Sequence, residues 1–447
     1  MWKEKPHCSN CSLDFEEPYL RCPECNSLLL IPAIKGPTKE KISLSSMWSI
    51  MDFLPNFEKI VTLAEGNTPF LQISRDKDLR GLNVKLEFRN PTGTFRDRAC
   101  SLIVSDAIQK KAKTIVGAST GSFSISLSAY AAKAGLSSTN VVPHNLELSK
   151  IEQMKIYGGL VIEKGETVDE AIKESETISA KEKGYFATPE QNILTIEGQK
   201  TIGLEIALQS EMIDSIIVPR GSGSLIFSVY RGFEDAKESG WIKKIPKVYS
   251  ISLEKTKIAH LAESLEIKKP YMIEEVQKLV KETEGEELEI NAGVMIDEAL
   301  TLARQEGLFI EPSSASVLAA ARILTNEKEI DCTKTAAILT GSGFNALNIY
   351  AAQLRGKKKV VWGLSESSTT KFEILNLIAG KKATYGYSIW VSLGKSQSLQ
   401  SIYQHLNELE EKGIITEIEN KAKRKEFELT KKGFETIERM RDLIDYI

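Results

Sequence analysis

The stretch Asn90-Pro-Thr-Gly-Thr-Phe-Arg-Asp-Arg98 lies between a strand-like apolar run, residues 84–88, and a segment with helical spacing. Proline and glycine end one element here and another begins within a few residues, which is the joint of a βα unit. Working outward, strand-like runs recur at 114–116, 140–142, 160–162, 215–218, 247–251 and 335–339. Helix-period segments follow several of them, at 122–133, 168–181, 199–209 and 313–324. This alternation predicts an α/β body of parallel strands with crossover helices, in one open doubly wound sheet or two of them. Ligands in such sheets gather outside the carboxyl ends of the strands, so chemistry belongs in the loops that follow them.

Three further loops of this kind are Ala118-Ser-Thr-Gly-Ser122, Pro219-Arg-Gly-Ser-Gly-Ser224 and Leu339-Thr-Gly-Ser-Gly343. Their glycines let backbone N–H groups converge on an anion, and a helix start adds a favourable dipole. Any one of them reads equally well as a plain turn. Joined by Glu65-Gly-Asn-Thr-Pro69, Glu197-Gly-Gln-Lys-Thr201 and Glu311-Pro-Ser-Ser-Ala315, the set resembles the threonine synthases in order and spacing. Those belong to the tryptophan-synthase-β-like class of pyridoxal-phosphate (PLP) enzymes. The resemblance spans about residues 60–350 and implies a two-lobed body of open parallel or mixed sheets with helices on both faces. It implies a cofactor pocket made by Arg96, Ser122, Arg220, Gly221, Ser222, Gly223, Ser224 and Thr340. It also implies a ligand site along Thr92, Gly93, Thr94, Ser119, Thr120 and Gly121.

Three departures from the family bear on the cofactor. Its motif reads Asn-Pro-Thr-Gly-Ser-Phe-Lys-Asp-Arg, and the lysine forms the Schiff base with PLP; here that position is Arg96. A guanidinium, with a pKa of roughly 12.5 or more, stays protonated, and its nitrogens are poor nucleophiles. Ser122 replaces an asparagine that lies beside the cofactor's ring hydroxyl, and Arg220 stands where a small or apolar residue is usual. The resemblance therefore implies a pocket that holds PLP without a covalent tie, or another phosphorylated or carboxylated small molecule. No catalytic residue is assigned. Lys85, on the strand before the motif, is the candidate substitute amine. The four histidines, His7, His144, His260 and His405, have no metal or triad spacing, and Cys100 reads as a small buried residue.

At 447 residues, two or three domains are expected. A formal net charge of −3 with 27% charged residues excludes a wholesale nucleic-acid coat or a membrane-surface protein. No apolar run is long enough to cross a bilayer, and the N-terminus has no apolar core behind its basic residues, so a cytoplasmic protein is expected. Cys8-x2-Cys11-x10-Cys22-x2-Cys25 can place four thiolates around one structural Zn²⁺, with the ten intervening residues forming a hairpin. Two redox pairs or a disulfide framework are the alternatives, and a cytoplasmic setting disfavours the latter. Some members of the resembled family also carry an N-terminal cysteine-knuckle segment.

The predicted domains are a zinc-ribbon-like segment over 1–32, the α/β body over 33–355, a linker over 356–368 and a winged helix-turn-helix over 369–447. In the last, helices are expected at 370–378, 385–393 and 398–411, then a hairpin with a basic tip, then a closing helix at 432–447 that could pair two subunits. Gln397, Gln400, Ser401 and Gln404 would face base edges, and Lys421, Lys423, Arg424 and Lys425 would lie over phosphates. Residues 365–447 hold 13 Lys+Arg against 13 Asp+Glu, so phosphate contact has to rest on the local tip, with Lys381, Lys382 and Lys395 as helpers. Joined, these parts point to a homodimeric regulator on double-stranded DNA, away from membranes, that senses an amino acid, PLP or both. The alternative is an active threonine synthase or a related PLP-dependent lyase acting on O-phosphohomoserine or a similar amino acid.

Overall fold

The computed structural model describes residues 2–119, 121–144, 146–256, 259–267, 270–354, 366–380, 384–393, 399–419 and 425–445. The chain divides into two compact units, Met1–Leu347 and Asn348–Ile447. No helix among the described residues is long and apolar enough to cross a membrane.

The first unit opens with two short antiparallel strands, β1 (His7–Cys8) and β2 (Leu29–Leu30). The alternation expected from the sequence then runs β3 (Phe70–Gln72), β4 (Asn83–Leu86), α1 (Arg96–Gln109), β5 (Thr114–Ala118), α2 (Ser122–Ala134) and β6 (Ser137–Val142). It continues α3 (Leu148–Ile156), β7 (Leu160–Glu163), α4 (Val168–Glu182), β8 (Tyr185–Phe186), α5 (Leu194–Gln209), β9 (Ser215–Pro219) and α6 (Ser224–Glu238). Last come β10 (Lys247–Leu253), α7 (Ile273–Glu282), β11 (Glu287–Ile290), α8 (Ala292–Glu306), α9 (Pro312–Asn326) and β12 (Thr335–Leu339).

Two sheets result. The larger has the order β11-β10-β9-β12-β4-β3, parallel throughout except for β3, which runs antiparallel to β4. The smaller is parallel in the order β7-β6-β5-β8. Central strands such as β9 and β12 are buried at every residue, as expected of parallel strands covered on both faces. Close helix packing depends on glycine: a Cβ on Gly198 would sit 2.5 Å from the Arg98 carbonyl oxygen, so α5 lies directly against α1.

The strand expected over 84–88 stops at Leu86, because Glu87–Arg89 form a 3-10 turn. The turn aims Glu87 into a buried ion network. Arg98 donates to Glu87 through Nε and Nη2, at 2.7 Å each, and to both oxygens of Glu205 at 2.6 and 2.9 Å. Lys85 Nζ donates to Glu205 at 2.6 Å, to the Thr68 carbonyl at 2.9 Å and to Gln209 Oε1 at 2.9 Å. Removing one partner would leave a buried charge uncompensated, so this cluster fixes β4, α1 and α5 relative to one another.

The ten residues between the cysteine knuckles do not form the expected hairpin. They pair with the body instead: Leu20 N–H donates to Gln191 at 3.1 Å and Ile193 N–H to Pro18 at 2.9 Å. Cys8, Leu20 and Cys22 belong to the same hydrophobic cluster as Ile216 and Val218 of β9.

The second unit contains α10 (Leu347–Leu354), most of whose residues belong to it, then α11 (Glu366–Ala379), α12 (Gly386–Ser392), α13 (Leu399–Glu411), β13 (Ile415–Glu419), β14 (Lys425–Leu429) and α14 (Lys431–Asp445). The last two strands form an antiparallel hairpin. Its core joins Ile374, Leu375 and Ile378 of α11 to Ile402, Leu406 and Leu409 of α13, with Ile415, Phe427 and Ile437.

Candidate functional site

Loops at the carboxyl ends of both sheets meet at one cavity in the first unit. Of the residues expected there, Thr94, Arg96, Ser119, Ser122, Gly221, Ser222, Gly223, Ser224 and Thr340 line it. Thr120 lies outside the described residues.

One wall is built for an anion. After β9 the chain turns through Gly221–Gly223 into α6, with Gly223 at φ +97°, a conformation that side-chain-bearing residues rarely adopt. The first N–H groups of α6 have no partners within the helix, and Ser222 and Ser224 hold their hydroxyls 3.2 Å apart beside them. Opposite, the Thr340 hydroxyl is 2.7 Å from that of Ser314. The glycines, hydroxyls and helix start are of the kind that hold the phosphate and ring nitrogen of PLP.

The covalent attachment does not fit. Arg96 starts α1 with its guanidinium carbon 4.6 Å from the centroid of its neighbour Phe95 and Nη1 buried without a hydrogen-bond partner among the described residues. No lysine is among the described residues of the lining. Lys85 is buried in the ion network and does not reach the cavity, which removes it as the substitute amine.

Several expected site residues serve the frame instead. Arg220 does not line the cavity: its Nε donates to Ser250 Oγ at 3.1 Å and its Nη2 lies 3.4 Å from Glu287. It follows β9 on the side facing β10 and β11, so its side chain turns along the sheet edge. Thr92 and Gly93 also lie outside the lining, because Thr92 donates to Asp97 through N–H and hydroxyl at 2.7 and 2.6 Å. Burial pushes Asp97 up to about 7. Gly121, at φ +124°, donates its N–H to Ser119 Oγ at 3.0 Å and shapes the loop from outside the lining.

Two carboxylates were given no role by the sequence. Glu190 lines the cavity, with its Oε2 buried and without a hydrogen-bond partner among the described residues. Burial raises its carboxyl to about 7 although Arg96 pulls it down. Glu311 also lines the cavity; burial raises it as well, against Lys150, Ser313 and Arg96. Glu190 follows the two-residue strand β8, too short for any periodicity to reveal.

The four N-terminal thiols converge, with all Sγ atoms within 4.8 Å of one another and neighbouring pairs at 3.3 to 3.5 Å. Tetrahedral zinc thiolate, with Zn–S of about 2.3 Å, needs an edge of roughly 3.8 Å. None of the six cysteines is in a disulfide.

In the second unit Gln400 and Gln404 are exposed on α13, and Gln404 donates to Glu408 at 3.2 Å. Ser401, on the same helix, is half-buried. Lys425 is exposed and pairs with Glu417 across the hairpin at 2.8 Å, so its charge is partly answered within the protein. Gln397, Lys421, Lys423 and Arg424 lie outside the described residues, as do Lys381, Lys382 and Lys395.

Residues 61–341 match the family described as pyridoxal-phosphate dependent enzyme. The threonine synthase of Methanocaldococcus jannaschii is 30% identical, over 75% of this chain and 91% of that protein. The threonine synthase of Methanosarcina acetivorans is 29% identical, over 74% and 90%. Among solved structures, the cysteine synthase of Entamoeba histolytica superposes with a TM-score of 0.55 at 19% identity, covering 64% of this chain and 88% of that one. The processed form of threonine deaminase isoform 2 from Solanum lycopersicum gives 0.53, also at 19%, covering 64% and 87%. At these identities the structural matches speak for the fold alone.

Proposed function

Because the chain belongs to the pyridoxal-phosphate-dependent enzyme family, in its threonine synthase branch, we propose that its cavity binds PLP without a covalent tie and works as a sensor. The observation that carries this reading is Arg96, a side chain unable to condense with an aldehyde, in a cavity with no lysine among its described residues. When bound, the cofactor supplies an aldehyde and an electron-withdrawing ring. The protein's part is to hold its phosphate at Gly221–Ser224, meet its ring at Thr340 and set a fixed positive charge at Arg96.

The output would be transcriptional. The order of three helices, a hairpin and a closing helix in the second unit supports a winged helix, and α13 offers exposed Gln400 and Gln404 as base-reading groups. Homodimers on double-stranded DNA follow from this reading. The cysteine cluster is proposed to hold one structural zinc, its four positions filled and none left for substrate. Ligand control requires different affinities for two states of the protein, so PLP should change the affinity of the full chain for selected DNA.

The match to threonine synthases over most of their length favours a second reading, an active enzyme of that kind. Phosphate release from O-phosphohomoserine by the purified full chain with PLP decides between them. The sensor reading expects no turnover together with PLP-dependent selection of a DNA site. Steady turnover would replace it with the enzyme.

A further inference from the structure

Two side chains of opposite charge face the same cavity, and each buries a polar atom that finds no partner among the described residues: Arg96 Nη1 and Glu190 Oε2. Both belong to the lining of one cavity, and neither of these atoms is answered by the other. Leaving either group buried and unanswered forfeits its hydration without replacement, so a ligand that answers both is favoured. Glu311, the other carboxylate of the lining, has no such orphaned atom, so Glu190 is the one left over.

We propose that Arg96 and Glu190 form a clamp for a free α-amino acid, Arg96 taking its carboxylate and Glu190 its ammonium group, with no bond to the cofactor. An α-amino acid carries both charges on one carbon. A phosphate or a dicarboxylate would satisfy Arg96 and be repelled by Glu190; an amine alone would do the reverse. Arg96 is suited to its half because a planar guanidinium grips a carboxylate through two donors. The clamp rests on the cavity being a ligand site, not on PLP being present in it.

The test is calorimetric titration of the full-length protein, free of PLP, with the twenty proteinogenic L-amino acids. The tightest binder is then compared with its decarboxylated amine and with its 2-hydroxy acid, in which the amine is replaced. At least one amino acid should bind, and removing either charge should weaken binding tenfold or more. Glu190→Gln should weaken the amino acid by a similar factor without weakening the 2-hydroxy acid, whereas Arg96→Met should weaken both. Equal affinity for amino acid and hydroxy acid, or wild-type affinity in Glu190→Gln, would overturn the clamp. So would failure of every amino acid to bind; PLP binding measured on the same sample shows separately whether the sensor reading survives. The ligand series on the unmutated protein stands even where a variant fails to fold.

Discussion

At the scale of single residues, the chemistry turns on position 96. Arginine keeps the charge and length of a lysine there and removes the nucleophile. Arg96→Lys should therefore restore an amine to the start of α1, and reduction with borohydride in the presence of PLP should then trap an adduct on residue 96. An unmodified variant would mean that the cavity does not hold the cofactor in register. Glu190 makes a second prediction. Its carboxyl, ordinarily near 4.5, is raised to about 7 by burial, so the folded state holds its proton more tightly than the unfolded one. Stability from this group is complete below about pH 4.5 and is lost as pH rises through about 7. Relative to the unmutated protein, Glu190→Gln should be more stable at pH 8 by roughly 1 to 3 kcal/mol and little different at pH 5, as read by urea unfolding. Lower stability of the variant at pH 8 would show that attraction to Arg96 outweighs burial. Arg96 was legible in the sequence because it breaks a motif. Glu190 was not, since it belongs to no motif and only the folded chain brings it to the cavity.

At the scale of elements, long helices and fully buried strands were readable, and pairings between distant segments were not. The run 335–339 is the observed strand to the residue, and 122–133 differs from α2 by one. The short strands β3, β8 and β11 escaped because two to four residues carry too little pattern. Arg220 was misassigned because its loop matched while its direction was set by Ser250 and Glu287 on neighbouring strands. The cysteine spacing disclosed the cluster, but not that its connecting segment pairs with residues 191–193. That pairing, with the shared hydrophobic cluster, ties the cysteines to the stability of the body. Metal analysis should find one zinc per chain, and a strong chelator should lower the melting temperature of the first unit as a whole. A metal-free protein whose melting ignores the chelator would remove the zinc.

At the scale of the whole molecule, two compact units with separate cores make a division of labour available, a ligand-binding body and a helix-and-hairpin unit. The α/β architecture was legible from alternation, which left one sheet or two open, and the motifs added the two lobes and the family. The role of the second unit rests on surface groups, and there the sequence offers a balanced charge and the structure pairs Lys425 with Glu417. The account as a whole depends on one property of the body, that it holds PLP without bonding to it. The measurement is borohydride reduction of the full-length protein incubated with PLP, followed by mass spectrometry of the intact chain and its peptides, alongside a melting curve. The expected result is no stoichiometric adduct on any lysine, with PLP still raising the melting temperature. A single stoichiometric adduct on one lysine would contradict it, name the missing nucleophile and return the protein to the enzymes of its family.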